Sequence, residues 1–271
     1  MKIYDLKQIH DWFENYVSSF ASGGILPTIS EIKRAHSYKV ESVGRRLVTE
    51  MNWDCDYALI GRAASLLHDT GRFSQYRDYG TLQDASSIDH GERGYEELMR
   101  FFPKEYADEE GYQAIIESVR WHNNRKLPDD IDEKYIPFCK LVRDADKIDI
   151  FCLVQDHIKN GTIEELLPRH AISGPISESV LREIEENGYS SYKNVSSFAD
   201  FLFVQIAWLL DINYTVSMKM IYELGAVEKI IEQLPLNKRA SDVLDFLLNK
   251  IEEYKSSLNN NFKTSIGVGN S

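Results

Sequence analysis

The spacing of apolar residues is the feature that most limits how this chain can fold. Apolar side chains recur at steps of three and four, as Leu6, Ile9 and Phe13 do near the start. Such steps place side chains on one face of an α-helix, whereas a half-buried strand needs alternation at every second residue. No segment shows convincing alternation of that kind, and no internal repeat is found. The sequence therefore predicts an all-α fold.

Breaks in this periodicity divide the chain into predicted helices. They are expected at about 6–20, 28–47, 54–69, 90–101, 108–122, 133–159, 177–186, 196–224, 227–234 and 238–258. Thr28 and Glu31 have the spacing of a capping box at the start of the second helix, and Gly71 is expected to end the third. The polar stretch 72–89 is predicted to be a long loop, a kind of segment that is usually functional or disordered in a compact domain. The stretch 161–174 is predicted to be a connector.

Parsimony favours a single helical domain over residues 1–258. Within it, region 29–151 contains the chemical motifs described below, and a C-terminal helical extension covers 175–258. Residues 259–271 are polar and contain glycine, which is typical of a flexible tail.

Composition excludes several classes of partner. The net charge of −12 makes duplex nucleic acid a poor partner. The most apolar run, 201–212, is too short to span a bilayer, so no membrane is expected. The chain has three cysteines, Cys55, Cys139 and Cys152, and none of them has CxxC spacing. Together with an N-terminus that does not resemble a signal peptide, this favours a cytoplasmic location. The sequence is compatible with either a monomer or a homo-oligomer.

Six metal-competent side chains are spaced so that different helices can bring them to a shared interior. They are His36, His68, Asp69, His90, His122 and Asp146. His36 and Asp146 fall on faces that are otherwise apolar, where an unpaired polar group is costly. Imidazole with carboxylate suits Fe, Mn, Zn, Ni or Co, whereas Mg alone would use more oxygen ligands. Six ligands are enough for two divalent ions. The remaining histidines are interpreted as structural or exposed: His10, His157 and His170.

This order of residues resembles the HD-domain superfamily of metal-dependent phosphohydrolases. The family pattern is a histidine, an HD pair and a distant aspartate, and it is matched by His36, His68-Asp69 and Asp146. Asp146 is preferred to Asp144 because it follows an alanine, as the family's ligand does. The segment that ends in Gly-Arg after the HD pair is also similar to the family's.

Two further histidines, His90 and His122, resemble the extra histidines of binuclear members. The resemblance implies an HD-domain helical bundle with additional C-terminal helices. It also implies two divalent ions bridged by Asp69. The resemblance does not fix their identity, which could be Fe, Mn, Ni, Co, Zn or Mg. Arg72 and Lys147 are predicted to act in catalysis together with Asp69. Four basic residues near the ligands are predicted to hold substrate phosphate: Arg72, Arg93, Arg125 and Lys147.

The implied activity is hydrolysis of a small phosphate ester, a nucleotide above all, by metal-activated water. The expected partner is thus a phosphorylated small molecule. Two alternatives are an HD-type di-iron oxygenase that cleaves a C–C or C–P bond, and a non-catalytic signalling or ligand-binding module. Because the chain has no Gly-Tyr-Pro sequence, it lacks the signature of the cyclic-di-GMP phosphodiesterases of this superfamily.

Overall fold

A computed structural model describes residues 1–166 and 173–266 of the chain, so His170 lies outside the described residues. All regular elements in the described part are helices, which confirms the predicted all-α fold. In chain order they are α1 (Leu6–Ser18), α2 (Thr28–Glu50), α3 (Cys55–Leu67), α4 (Thr70–Tyr79), α5 (His90–Phe101), α6 (Glu109–Trp121), α7 (Ile136–Asn160), α8 (Ile163–Leu166), α9 (Glu178–Asn187), α10 (Phe198–Ala207), α11 (Thr215–Glu223), α12 (Ala226–Ile231) and α13 (Lys238–Ile266). None of the described helices is both long and apolar enough to cross a membrane.

The chain divides into two compact units, Met1–Asp149 and Ile150–Ser271. The boundary falls within α7, and all six candidate metal ligands belong to the first unit. The single domain over 1–258 stays a prediction.

The core of the first unit fixes the helices that carry the candidate ligands. Helix α3 packs against α2 and α6, and α5 packs against both α4 and α6. Phe13, Leu67, Ile115 and Phe138 are fully buried among these helices. Each such side chain contributes about 1.5–3 kcal/mol by leaving water. The apolar stripes seen in the sequence therefore hold the ends of α3, α5 and α6 close together.

The predicted end of the third helix and the predicted loop after it are both wrong in part. Helix α3 ends at Leu67, but α4 follows almost at once, and Gly71 lies inside α4. A Cβ atom at Gly71 would come within 2.2 Å of the His90 carbonyl oxygen, so glycine is required for close packing and not for a stop. The buried face of α4 includes the polar Ser74 and Gln75. The sequence of α4 therefore lacks the apolar stripe by which a helix is recognised, and the helix was not predicted.

Smaller differences concern helix ends. Thr28 is the first residue of α2 and makes no side-chain cap, since Pro27 takes the cap position; the predicted capping box is wrong. The predicted helix over 196–224 is interrupted between α10 and α11. Helix α8 lies within the predicted connector, and α13 continues to Ile266, past the start of the predicted tail. Residues 267–271 lie outside the described part of the chain.

Candidate metal centre

The fold brings the six candidate ligands together from six helices and their caps. His68 caps the C-terminus of α3 and His122 caps that of α6, while His90 is the first residue of α5. His36 and Asp146 lie within α2 and α7. The sixth ligand, Asp69, directly follows His68 as the N-cap residue of α4. Helix ends that meet at one point explain how residues far apart in sequence reach one centre.

The carboxylate of Asp69 lies between two pairs of imidazoles. Its Oδ2 atom is 3.5 Å from Nε2 of His68 and 3.7 Å from Nε2 of His36. Its Oδ1 atom is 3.5 Å from Nε2 of His90 and 3.7 Å from Nε2 of His122. One carboxylate thus presents a separate oxygen to each pair, which is the arrangement that a bridging ligand needs.

Two overlapping trios of ligand atoms are compact enough to hold a metal ion. Within each trio the ligand atoms lie within 4.8 Å of one another; the trios are His36, His68 and Asp146, and His68, Asp69 and His122. In the first, Oδ1 of Asp146 is 3.0 Å from Nε2 of His36 and 3.6 Å from Nε2 of His68. Next to the second, Nε2 of His90 is 3.0 Å from Nε2 of His122.

Two of the histidines are oriented by main-chain carbonyl groups. Nδ1 of His68 lies 2.8 Å from the carbonyl oxygen of Ser65, and Nδ1 of His122 lies 2.7 Å from that of Val119. A carbonyl oxygen can only accept a hydrogen bond, so each Nδ1 atom must donate. In the neutral ring the lone pair is then on Nε2, which faces the cluster and is available to a metal ion.

The other two histidines are oriented by carboxylates that the sequence analysis missed. Nδ1 of His36 is 2.6 Å from Oδ2 of Asp149, and Nδ1 of His90 is 2.6 Å from Oδ2 of Asp84. A carboxylate behind a ligating histidine fixes its ring and makes it a better ligand. Asp149 lies one helical turn after Asp146, so the sequence places both carboxylates on one face of α7, but this spacing does not reveal the pairing of Asp149 with His36.

A lysine that the sequence analysis also missed, Lys33 on α2, lies at the cluster. Its Nζ atom is 2.7 Å from Oδ2 of Asp69. Burial acts to raise the pKa of Asp69, but the charges of Lys33 and His68 outweigh burial and hold this pKa well below its usual value. Asp69 is therefore ionised, as a bridging ligand has to be.

The other ionisable groups respond to the same charges. Burial acts to lower the pKa of His68, but the negative charges of Asp69 and Asp146 outweigh it and raise the value to about 10. The pKa of Asp146 is held well below its usual value: burial opposes this, and hydrogen bonds from His36 and His68 outweigh burial. Burial and the charge of Arg72 lower the pKa of His90 to about 4, so this ring is neutral.

The basic residues predicted to hold phosphate have different surroundings. Arg72 reaches the cluster, with Nε 3.5 Å from Oδ1 of Asp69. Its Nη1 atom, however, donates to Oδ1 of Asp84 at 2.8 Å, to Oε1 of Gln75 at 3.0 Å and to the carbonyl oxygen of Leu82. Arg72 thus fastens the segment that carries Asp84 to α4.

Arg93 forms ion pairs with acidic groups on α4 and α5. It pairs with Asp78 at 2.7 Å and with Glu97 at 3.3 Å. Arg125 is exposed in the loop after α6. Lys147 is half-buried and follows Asp146 on α7.

The remaining histidines in the described residues lie outside the trios. His10 packs edge-on against Tyr38, with ring centroids 5.7 Å apart. His157 belongs to the second unit, where its Nδ1 atom is 2.8 Å from the Thr162 hydroxyl. Both positions agree with the structural role predicted from the sequence.

The ligand set fits divalent ions that accept nitrogen and oxygen. Four imidazoles direct Nε2 inward and two ionised carboxylates lie between them, a combination that suits Mn, Fe, Co, Ni or Zn. Fold and site together define a helical protein with a histidine–aspartate cluster that could hold metal ions.

Comparison with known families gives the class a name. The family profile described as HD domain matches residues 34–151, a range that contains all six candidate ligands. Residues 34–151 therefore carry an HD domain, which confirms the resemblance to the HD-domain superfamily predicted from the sequence. No curated protein and no solved structure gives a significant match to the chain.

Proposed function

We propose that this protein is a cytoplasmic metal-dependent phosphohydrolase that uses metal-activated water to hydrolyse a small phosphate ester, above all a nucleotide. One observation carries the proposal: the two carboxylate oxygens of Asp69 face two different pairs of imidazoles. This geometry supports six ligands for two ions, and the HD domain places the chain in a superfamily of that chemistry.

Two divalent ions at this centre would lower the pKa of a water molecule toward neutrality and neutralise charge on the phosphoryl oxygens. The protein holds the ligands ready for this. Side chains of His36 and His122 are only 1% exposed, so their charge interactions are weakly screened by water. The Nδ1 partners keep the rings fixed, and no nucleophilic side chain is required.

The basic residues would act at the substrate. Arg72 is positioned to stabilise charge next to Asp69 and to hold Asp84 against His90. Lys147, beside Asp146, is proposed to orient a phosphoryl or leaving oxygen. The ion pairs of Arg93 support a role in packing α4 against α5 more than a contact with substrate. Arg125, on the exposed loop, is proposed to contact a distal part of the substrate.

The test is phosphate release from a broad panel of phosphomonoesters and phosphodiesters by protein supplied with Mn²⁺, Co²⁺ or Ni²⁺. Asp69→Ala should abolish turnover and metal binding, because it removes the ligand shared by both groups. Asp56→Ala, which changes an exposed aspartate on α3, should leave both unchanged. Metal-loaded wild-type protein that releases no phosphate from the whole panel would refute the proposal.

A second function is favoured by the number of imidazoles. Four histidines with two carboxylates also suit a di-iron centre that activates O₂ to cleave a C–C or C–P bond. Protein purified without added metal discriminates: two irons, a mixed-valence signal and O₂ uptake would favour the oxygenase, whereas Mn or Ni with oxygen-independent turnover would exclude it. Biochemical behaviour that Asp69→Ala leaves unchanged would instead indicate a non-catalytic binding module.

A further inference from the structure

The side chains at the centre differ in their exposure to solvent. Four ligand side chains are no more than 3% exposed: His36, His68, Asp69 and His122. By contrast, the side chain of Asp146 is 20% exposed and that of Lys33 is 17% exposed. Solvent therefore reaches Lys33 and Asp146, as it also reaches Arg72 and Asp84, whose side chains are 16% and 33% exposed.

The ammonium group of Lys33 is partly exposed to solvent and touches the proposed bridging ligand. Lys33 is one helical turn before His36 on α2, and its Nζ atom is 2.7 Å from Oδ2 of Asp69. That oxygen is the one that faces His36 and His68. A carboxylate that is 3% exposed needs a compensating charge, and Lys33 supplies one.

A cation bound between His36, His68 and Asp69 would take over this compensating role. The attraction between Lys33 and Asp69 would then weaken, since the carboxylate charge would be shared with the ion. A lysine ammonium sits on a flexible stem of four carbons and can change partner by rotation about its side-chain bonds.

An anionic substrate needs a partly exposed cation that can leave its present partner. Arg72, the other cation close to Asp69, uses its Nη1 atom for Asp84, Gln75 and Leu82, while its buried Nε atom has no hydrogen-bonding partner. Lys33 has Asp69 as its hydrogen-bonding partner and is partly exposed. Lys33 can therefore meet a phosphoryl oxygen by leaving Asp69, whereas Arg72 is anchored through Nη1 and can offer only its other N–H groups.

We propose that Lys33 changes partner: it neutralises Asp69 in the metal-free protein and binds a phosphoryl oxygen of the substrate once metal ions are in place. This inference rests on the proposed phosphohydrolase function and adds a residue that the sequence pattern does not mark. Lys33 would then be a catalytic residue in direct contact with substrate.

The experiment compares Lys33→Met and Lys33→Arg with wild-type protein, using inorganic phosphate as the probe. Phosphate binding to Mn²⁺-loaded protein is measured by calorimetry, and bound Mn²⁺ by elemental analysis. We expect Lys33→Met to weaken phosphate binding by about 10- to 100-fold through loss of a charged hydrogen bond, with Mn²⁺ content unchanged. Lys33→Arg should restore most of the affinity. Lys39→Met, at an exposed lysine on the same helix, should bind phosphate as wild type does.

Thermal unfolding tests the change of partner itself. Lys33→Met should lower the Tm of metal-free protein, where Asp69 loses its counter-ion, and leave the Tm of Mn²⁺-saturated protein nearly unchanged. An equal loss in both forms would overturn the inference. So would unchanged phosphate affinity in Lys33→Met, loss of Mn²⁺ from that variant, or a wild-type protein that binds no phosphate.

Failure of the proposed function has a different signature. In that case metal-loaded wild-type protein releases no phosphate from any ester, whatever the effect of Lys33→Met on phosphate binding.

Discussion

The group that binds the Nδ1 atom of each histidine decides whether a side-chain substitution can weaken metal binding on that side of the centre. His68 and His122 are held by main-chain carbonyl groups, which side-chain substitution does not remove. His36 and His90 are held by the carboxylates of Asp149 and Asp84, one on each side of Asp69. The two carboxylates therefore allow the two halves of the centre to be weakened separately.

Asp149→Asn and Asp84→Asn should each weaken one metal equivalent. The amide keeps the shape of the carboxylate but removes the charge that makes the imidazole a strong ligand, and losses of about 10- to 100-fold in metal affinity are typical. Titration of Mn²⁺ against a chelator should show one weakened and one unchanged equivalent in each variant. Each variant is the other's control, and an equal loss of both equivalents in either one would contradict two distinct sites.

At the scale of the helix, the contact between α4 and α5 sets the distance from Asp69 to His90. Gly71 makes this contact possible: a Cβ atom there would lie 2.2 Å from the His90 carbonyl oxygen and 2.5 Å from the amide nitrogen of Gly94. Both neighbours are main-chain atoms, so the helices would have to separate. The close approach thus links helix packing to the geometry of the metal ligands.

Gly71→Ala should therefore lower the free energy of unfolding and the metal affinity together. The overpacking cost is about 1–3 kcal/mol, larger than the gain of about 1 kcal/mol for alanine in a helix. Gly44→Ala is the matched control on α2, since the added Cβ atom would meet the hydroxyl of Ser65 at 2.5 Å, and a side-chain end can move. Urea unfolding measures the free energy of unfolding of both variants. An equal loss in the two variants would show that α5 shifts without cost.

The helices that could be predicted from the sequence are those with a regular apolar stripe. Helices α5 and α6 were predicted correctly because each has one apolar face that is buried, with Leu98 on α5 and Ile115 on α6. Helix α4 was missed because its inward face carries Ser74 and Gln75, the latter bound to Asp84. A helix that packs polar groups near a functional site loses the signal by which helices are found.

The candidate site could likewise be predicted only in part from the sequence. The six ligands form an ordered pattern of unusual residue types, whereas Lys33, Asp84 and Asp149 are common charged residues with nothing distinctive in their local sequence. Their roles depend on contacts across 36, 6 and 113 positions. Such pairings arise from the packing of helices, and local spacing does not specify them.

In the second unit, Asp200 ties the start of α10 to the start of α9. Its side chain accepts hydrogen bonds from the amide groups of Ser177, Ser196 and Ser197 at 2.7–3.1 Å, and it forms a capping box with Ser197. Burial opposes a low pKa here, but the hydrogen bonds from Ser177 and Ser196 outweigh burial and lower the pKa of Asp200 below its usual 3.8.

Asp200→Asn should cost about 1–3 kcal/mol of unfolding free energy at pH 7, because an amide cannot accept all these bonds. A carboxyl with a lowered folded pKa stabilises fully above its unfolded pKa of 3.8 and loses that effect as pH falls through the folded value. The difference between variant and wild type should thus shrink below pH 3.8 in urea titrations. Asp242→Asn, at an exposed site on α13, should show no such trend.

At the scale of the whole molecule, the net charge of −12 contrasts with the charges at the metal centre. The carboxylates of Asp69, Asp84, Asp146 and Asp149 would be balanced by two divalent ions, and Lys33 and Arg72 would add positive charge. An anionic substrate would then be attracted only locally, which favours small phosphate esters over long polyanions. All of these groups belong to the first of the two compact units.

A fragment that ends with α7, residues 1–160, should therefore retain the metal centre. It contains the six candidate ligands, the two carboxylates behind them and a hydrophobic core of its own. We expect the fragment to bind two equivalents of Mn²⁺ and to show cooperative thermal unfolding with helical circular dichroism. The same fragment with Asp69→Ala, which should bind none, is the control. If 1–258 instead folds as one cooperative domain, the fragment will neither unfold cooperatively nor bind Mn²⁺, and the single-domain prediction will be supported.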